Sequence, residues 1–531
     1  MSFTDRTSLL RIGVDVGDVF TDLVASDGQE VRVLKIPSTP DFHNAVIDAI
    51  NRAAARSPNG LAGVEIVYSS TVATNALLDA TLQSPVEAHL RALAGNDQSD
   101  TPRISLQIMS STGGTLSIAE ASVSAGRLVL SGPAGGVAGA LLISRAANID
   151  DIITYDMGGA STGVGIIVGG KPQWMSEGVV DGLPIHLPAL DIHTVDAGGG
   201  SIASLDAGGA LRVGPRSAGA LPGPACYGRG GLEPTVTDAN LLLGRILPDR
   251  FAGGTMRVSP DLAARAVEPL AAAMGKRIDD TAADIVRVAE ENISREVRAV
   301  TSRRGLDSKH LALMSFGGAG GLHACAIAEA LDIATVIIPP YCGVLSALGM
   351  VAAPPVADAA KTVLHLGEGL DDHRLYAEYG HLNMLASESL PQEDLAAVEA
   401  YADVRFKGQS SELTVQARGA DRAQLEQSFR DLYAERNGVV QGDAPIEIVT
   451  LRLRRIGRVA EVGLPRIKPS APPAPTCSAG TLHALSREQL LSLGSTNGPL
   501  LLIDNEATAY VASGWTATCD ERGIITLRHN A

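Results

Sequence analysis

Arg11-Ile-Gly-Val-Asp-Val-Gly-Asp-Val-Phe-Thr-Asp-Leu-Val24 decides the fold. It reads as an apolar strand, a tight turn at Gly17 and a second apolar strand. The first strand ends in a carboxylate, Asp15, and Thr21 and Asp22 follow the turn. A strand-end carboxylate beside the backbone amides of a glycine turn can orient the waters of a metal ion and the oxygens of a phosphate. Asp18 stands in that turn, where a neutral glycine would suit a polyphosphate better.

The same logic recurs downstream. A strand running from Ile152 ends at Asp156, Met157-Gly-Gly-Ala-Ser-Thr162 turns, and Gly163-Val-Gly-Ile-Ile-Val168 returns. A third turn, Phe316-Gly-Gly-Ala-Gly320, follows the buried strand His310–Phe316. Two such hairpins predict two related halves facing a cleft, and the third turn lets an adenosine approach backbone that carries no side chain. Proteins of the actin, sugar kinase and heat-shock chaperone type hold ATP phosphates and their metal on hairpins of this kind. The plain alternative is three tight turns of an ordinary α/β domain.

The rest of the chain frames these motifs. A third strand, Val31–Ile36, a helix over Pro40–Arg56 and a strand Val64–Tyr68 precede the polar turn Ser69-Ser-Thr-Val-Ala-Thr-Asn75. Residues 79–104 are weakly patterned, and Ser105–Met109 is a strand. Ser131-Gly-Pro-Ala-Gly-Gly136 reads as a glycine-rich turn before a helix over Val137–Ala147. Residues 185–240 are rich in Gly and Pro, residues 259–305 are helical, and a helix follows around His323–Leu331. Strands and amphipathic helices alternate from Asp358 to Pro465, Ser470–Pro475 is a linker, and the tail from Leu500 reads as short strands closing a small barrel or sandwich.

Bulk properties narrow the function. At 531 residues several domains are expected. The formal net charge of -16 leaves no basic surplus for nucleic acid or an anionic membrane. Five scattered cysteines without a CxxC pair fit reduced, cytoplasmic usage. No basic-then-apolar leader and no 20-residue apolar run is present.

Other chemistry-bearing residues are weaker candidates. His193 and Asp238, with Asp191 and Asp196, lie in or near Gly-rich loops and suit a divalent metal by type, though not by spacing. Cys226, in Pro-Ala-Cys-Tyr-Gly, has no adjacent base and reads as a buried thiol. His323 sits where it would cap a helix. No Walker loop, GxSxG elbow, HExxH or dinucleotide fingerprint is found.

Together these residues resemble the A-type subunits of the hydantoinase/oxoprolinase family (the N-methylhydantoinase A type), which also includes the β-type subunits of acetone and acetophenone carboxylases. The likeness is carried by Gly13–Gly17 with Phe20–Leu23, Thr71–Leu77, Ser131–Gly136, Asp156–Gly159, Ala197–Ala203, Val213–Pro215, Pro222–Gly230, Pro234–Asn240, Phe316–Gly320 and Lys407–Val415. It implies an α/β fold: an actin-like ATPase (ribonuclease H-like) double domain with a β-rich C-terminal domain. The expected divisions are 1–104, a first part with a shortened insertion; 105–358, the ATPase core; and 359–531, the C-terminal region.

The resemblance also implies Mg-ATP and phosphorylation of a carbonyl, in a cyclic amide to be opened or a ketone to be carboxylated. Asp15 and Asp156 would be the catalytic and metal-organising carboxylates. Gly17, Thr21, Thr71, Gly158, Gly159, Gly317, Gly318 and Gly320 would hold the cofactor. A B-type subunit, and a paralogous full-length A-type subunit, are the implied partners. The chain departs from the family pattern at Asp18-Val19, where Gly-Thr is usual, at Ala160 and Gly163, where Thr and Asp are usual, and at Tyr68–Ser70 and Gly321. The large insertion after Leu78 is shortened as well. Two roles therefore stay open: an ATP-hydrolysing subunit, and a degenerate subunit that braces a complex.

Overall fold

The computed structural model describes residues 10–17, 19–38, 64–70, 105–123, 125–175, 178–180, 183–185, 189–364, 370–409, 412–417, 419, 421–438, 444–459, 461–471 and 482–530. Asp18, the expected helix Pro40–Arg56, Thr71, residues 79–104 and most of the expected linker lie outside them.

Two sheets share one plan. In the first, β1 (Leu10–Val16), β2 (Phe20–Ser26) and β3 (Val31–Pro37) run antiparallel. Next, β4 (Val64–Ser70) and β5 (Ser105–Met109) lie parallel to β1, and β6 (Thr115–Ser117) closes the order 3-2-1-4-5-6. In the second, β7 (Ile152–Met157) and β8 (Thr162–Val168) form the hairpin and β9 (Ile192–Val195) extends it. β10 (Ala312–Phe316) and β11 (Thr335–Ile338) run parallel to β7 on its other side. Three antiparallel strands followed by two parallel ones, twice in one chain, is the actin-like, ribonuclease H-like double domain. Parallel strands are covered on both faces: Ile152, Ile153, Tyr155, Met157, Leu313 and Met314 are all 0% exposed.

Helices fill the layers between: α1 (Ser131–Ala147), α2 (Val236–Leu242), α3 (Pro260–Met274), α4 (Ile278–Arg303), α5 (Ala324–Ala330) and α6 (Leu345–Ala352). The Ser131–Gly136 stretch expected as a turn is instead the first turns of α1. Its glycines are there for packing. A Cβ on Gly135 would lie 2.8 Å from the Ser346 carbonyl oxygen, and one on Gly139 would lie 2.6 Å from that of Leu345, so α6 crosses α1 backbone to backbone. On its other side α6 meets β1, where a Cβ on Gly13 would lie 2.1 Å from the Ala347 oxygen. This helix therefore joins the two halves beneath the cleft.

A separate α/β unit follows. A four-stranded antiparallel sheet (Val356–Thr362, Ile446–Gly457, Leu395–Phe406, Leu413–Gln416) carries the helices Asp372–Ser389 and Arg422–Asn437 over its own core. Within that core Phe406 meets Phe429 edge-on at 4.9 Å. The unit is fastened to the double domain by Asp358, which pairs with Arg127 across the boundary and with Arg454 of its own sheet at 2.7 Å. The Arg454 guanidinium also lies 4.5 Å over the Trp174 ring.

The tail does not form the barrel or sandwich expected of it. Ile525–His529 pairs antiparallel with β11, Trp515–Cys519 and Ser495–Asn497 add outside it, and Trp515 is fully buried in the double-domain core. An apolar strand at the edge of a sheet needs a cover, and the returning tail supplies one. No helix among the described residues is long and apolar enough to cross a membrane.

Candidate functional site: a cleft between two hairpins

The β1–β2 and β7–β8 turns line one cavity of about 750 Å³ together with Gly317, Gly318 and the N-terminus of α1. Strand register sets its charges in a row. Asp15 on β1 lies opposite Asp22 on β2, which lies opposite Lys35 on β3. The Lys35 Nζ donates to both Asp22 oxygens, at 2.7 and 3.0 Å, and to the Gly343 carbonyl at 2.9 Å. Asp156 ends β7 beside them and accepts from Ser346 Oγ at 3.3 Å. Gly317 has φ +80, and a Cβ there would lie 2.4 Å from Asp156 Oδ1, so only glycine lets the third turn pass this carboxylate. Across the cleft Val19 rests on the opposite turn: a Cβ on Gly159 would lie 2.5 Å from Val19 Cγ2.

These carboxyls are held away from their ordinary behaviour. Burial, then the Asp22 and Asp156 charges, raises the Asp15 pKa to about 8, with Lys35 opposing. Burial raises Asp156 to about 6, against the Ser346 hydrogen bond. Asp22 is also raised by burial, with Lys35 pulling the other way. Three acidic side chains thus face one ammonium. A divalent cation fits that deficit. Among the described residues no three His, Cys, Asp or Glu side chains converge as a metal cage. The donor set is one or two carboxylates, with room for water and phosphate, which is the habit of magnesium.

Most expected cofactor residues fall on this cleft: Gly17, Gly158, Gly159, Gly317 and Gly318 line it with Asp15 and Asp156. Thr21 does not. Its hydroxyl is buried against Ser38 Oγ at 3.1 Å, and Ser38 in turn donates to the Gly17 carbonyl at 2.7 Å, so Thr21 braces the turn from behind. Gly320 opens a short 3-10 turn and packs on Ser315. Thr71 is outside the described residues.

His193 stands on the cleft wall but apart from the carboxylate row. Its Nε2 lies 3.1 Å from Asp191, whose other oxygen takes Arg304. Burial pushes the Asp191 carboxyl up, but His193 and Arg304 outweigh it and hold it below the usual range. Asp238, expected as a metal ligand, is engaged inside the protein. It forms a capping box with Thr235 and accepts from Thr235 N at 3.0 Å, Thr235 Oγ1 at 2.7 Å, Cys226 N at 2.7 Å and Ala225 N at 3.3 Å. Both its oxygens are used to join α2 to the Pro224–Gly228 turn. Replacing it by Ala strands these buried donors and is expected to cost about 3 kcal/mol or more. Thermal melts should show Asp238→Asn falling between wild type and Asp238→Ala.

Cys226 is the buried thiol expected, its pKa pushed up by burial and then by Asp238. His323 does not cap α5 with its side chain. It is buried between Glu290 and Asn240. The Asp22–Lys35 pair, Ser346 and the α2 face were not read from the sequence. Alternation along three short strands would have put Asp15, Asp22 and Lys35 on one face, had their register been known.

Comparison with known proteins agrees with this geometry. Residues 72–359 match the hydantoinase/oxoprolinase family, and residues 11–125 match its N-terminal region. The 5-oxoprolinase 1 of Arabidopsis thaliana is 32% identical over 489 residues, 85% of this chain and 38% of its own length. The caprolactamase alpha subunit of Pseudomonas jessenii is 29% identical over 422 residues, 73% of this chain and 60% of its own. This chain thus spans less than two thirds of either relative. The crystal structure of the ATP-dependent caprolactamase from Pseudomonas jessenii has a TM-score of 0.77 at 22% identity, covering 98% of this chain and 100% of that one. A nucleotide-free acetone carboxylase gives 0.76 at 18%, with the same coverage.

Proposed function

The chain belongs to the hydantoinase/oxoprolinase family, and from that premise we propose that it is an A-type subunit of a hetero-oligomeric, ATP-dependent enzyme acting on a cyclic amide or ketone carbonyl. Its own cleft is a weakened triphosphate site, and its main service is to brace a complex that contains a full-length A-type paralogue and a B-type subunit. The observation that carries this reading is the contact between the hairpins. Where they meet, a Val19 methyl group rests on Gly159, and Ala160 stands beside it. The Thr21 hydroxyl is turned to Ser38. Phosphate oxygens therefore meet fewer donors, and Asp18 adds a negative charge to the same turn.

When bound, Mg-ATP would supply a phosphoryl group that converts a carbonyl oxygen into a leaving group. Asp15 and Asp156 would hold the cation through its waters, with Lys35 fixing Asp22 so that it does not compete. The acidic row favours a second reading, in which this chain hydrolyses ATP itself. Three raised carboxyls maintained beside a cavity of about 750 Å³ are costly unless a cation visits.

Calorimetry with Mg-ATP separates the readings. The bracing role expects weak or no heat from the isolated chain, and catalytic turnover by the reconstituted complex that survives Asp15→Asn. Micromolar binding by the isolated chain, with turnover abolished by Asp15→Asn, would replace it with the catalytic role.

A further inference from the structure

We infer that the chain pairs with a second copy of itself through the outer face of the helix Asp372–Ser389. The inference goes beyond the nucleotide reading and does not depend on it. The inner face of this helix is committed: Leu375, Tyr379, Leu382 and Ala386 are buried in the core of the C-terminal unit. On its flanks Glu378 accepts from Lys361 at 2.7 Å, and Asn383 Oδ1 accepts from Arg455 at 2.6 Å. The outer face is open, yet it lacks the polar character usual on the solvent side of a surface helix. Tyr376 is 75%, Met384 57% and Leu385 42% exposed. Gly380 stands among them. Glycine is a poor helix former, and a Cβ there would meet nothing within 4 Å. No packing among the described residues asks for bare backbone at this point, so a close approach from outside would explain it.

The order of the exposed residues says what approaches. Positions 373, 377, 380, 384 and 388 follow at steps of three or four and form one seam. Read from its two ends, the seam is its own complement. A two-fold axis midway between Gly380 and His381 lays an antiparallel copy along it. His373 then lies opposite the partner's Glu388, Ala377 opposite the partner's Met384, Tyr376 opposite the partner's Leu385, and Gly380 opposite the partner's His381. An imidazole N–H meets a carboxylate, a small side chain twice meets a large one, and an aromatic ring meets an aliphatic chain. Each match occurs twice, as a two-fold interface requires. A parallel copy would set Glu388 beside the partner's Glu388 and Met384 beside the partner's Met384.

The seam is about 22 Å long at the usual helical rise. A contact of that length is at the small end of specific interfaces, where association is weak and reversible, so a dissociation constant on the order of micromolar is expected. The net charge of -16 on each chain opposes any pairing, and salt near physiological strength screens it.

Sedimentation equilibrium of the full chain over roughly 1–100 μM tests this. The expected result is a reversible monomer–dimer equilibrium. Met384→Glu should weaken the dimer roughly tenfold or more, because the site sits at the middle of the seam. His373→Glu should weaken it about severalfold, by setting two carboxylates against each other, and adding Glu388→Lys should restore it. All these positions are exposed, and circular dichroism checks that each variant is folded. A chain that stays monomeric over the whole range overturns the inference. So does a dimer that Met384→Glu and His373→Glu leave intact, or a His373→Glu defect that Glu388→Lys does not rescue. A monomeric chain whose Met384→Glu variant no longer joins the reconstituted complex would give this face to a different subunit and equally overturn self-pairing. None of these outcomes bears on nucleotide binding in the cleft.

Discussion

Gly349→Ala is expected to destabilise the double domain by about 3 kcal/mol or more, at the severe end of overpacking substitutions. A Cβ at this position would lie 1.9 Å from the Gly135 carbonyl oxygen and 2.4 Å from Gly139 N. Both are backbone atoms of α1, so no side chain can swing aside. α6 cannot back away either, because its opposite face touches β1 at Gly13. The helix is a wedge between the halves, and widening it at one side pushes β1 and the Asp15 hairpin out of place. The contrast is Gly380→Ala, in the exposed middle of the helix Asp372–Ser389, where an added methyl meets nothing within 4 Å. Here alanine should be neutral or stabilise by roughly 0.5–1 kcal/mol, because glycine is the poorer helix former. Urea melts followed by circular dichroism compare the two. A Gly349→Ala midpoint equal to wild type would mean that α1 and α6 are not packed as described.

The second large effect is on stability against pH. Asp15 and Asp156 have folded pKa values of about 8 and about 6, raised from an ordinary 3.8. The folded chain therefore keeps protons that the unfolded chain has released. Stability from these groups is full below about pH 4, falls as pH rises, and is gone above about pH 8. Each tenfold change in proton affinity corresponds to about 1.4 kcal/mol. Both carboxyls keep some opening to the cavity, so a loss of roughly 2–5 kcal/mol across the window is expected in chelator. Asp15→Asn removes the larger part. At pH 8 without cation the variant should be more stable than wild type, the reverse of what removing a stabilising ion pair would do. Added Mg²⁺ should restore wild type and leave Asp15→Asn almost unchanged. Melting temperatures at pH 5 and 8, with chelator or Mg²⁺, check each sign.

Much of this architecture could be read from the residues. The hairpins at Asp15 and Asp156 announce themselves because glycine turns between apolar runs leave few alternatives, and Ser105–Met109 is the strand it was read as. The start of α1 was not. Ser131-Gly-Pro-Ala-Gly-Gly136 has the local chemistry of a turn, and it is helical because α6 needs a smooth surface to cross. That requirement belongs to a residue more than 200 positions away, Gly349, and no local propensity records it. The tail misled in a similar way. Its alternating strands are real, but whether they close on one another or on β11 depends on which apolar edge is open.

At the site, strand ends gave Asp15 and Asp156. Register was needed to bring Asp22 and Lys35 beside them. Asp238 and Thr21 look like ligands by residue type and are taken up by the fold itself, one in a capping box and the other against Ser38.

The claim beneath all of this is that the two hairpins present their carboxylates to a single cation. Electron paramagnetic resonance of Mn²⁺ at pH 8, titrated into the wild-type chain and into Asp15→Asn, Asp156→Asn and the double variant, measures it directly. One bound ion per wild-type chain is expected, with binding weakened by each single substitution and lost in the double variant. Equal binding by wild type and the double variant would show that these carboxylates do not share a metal.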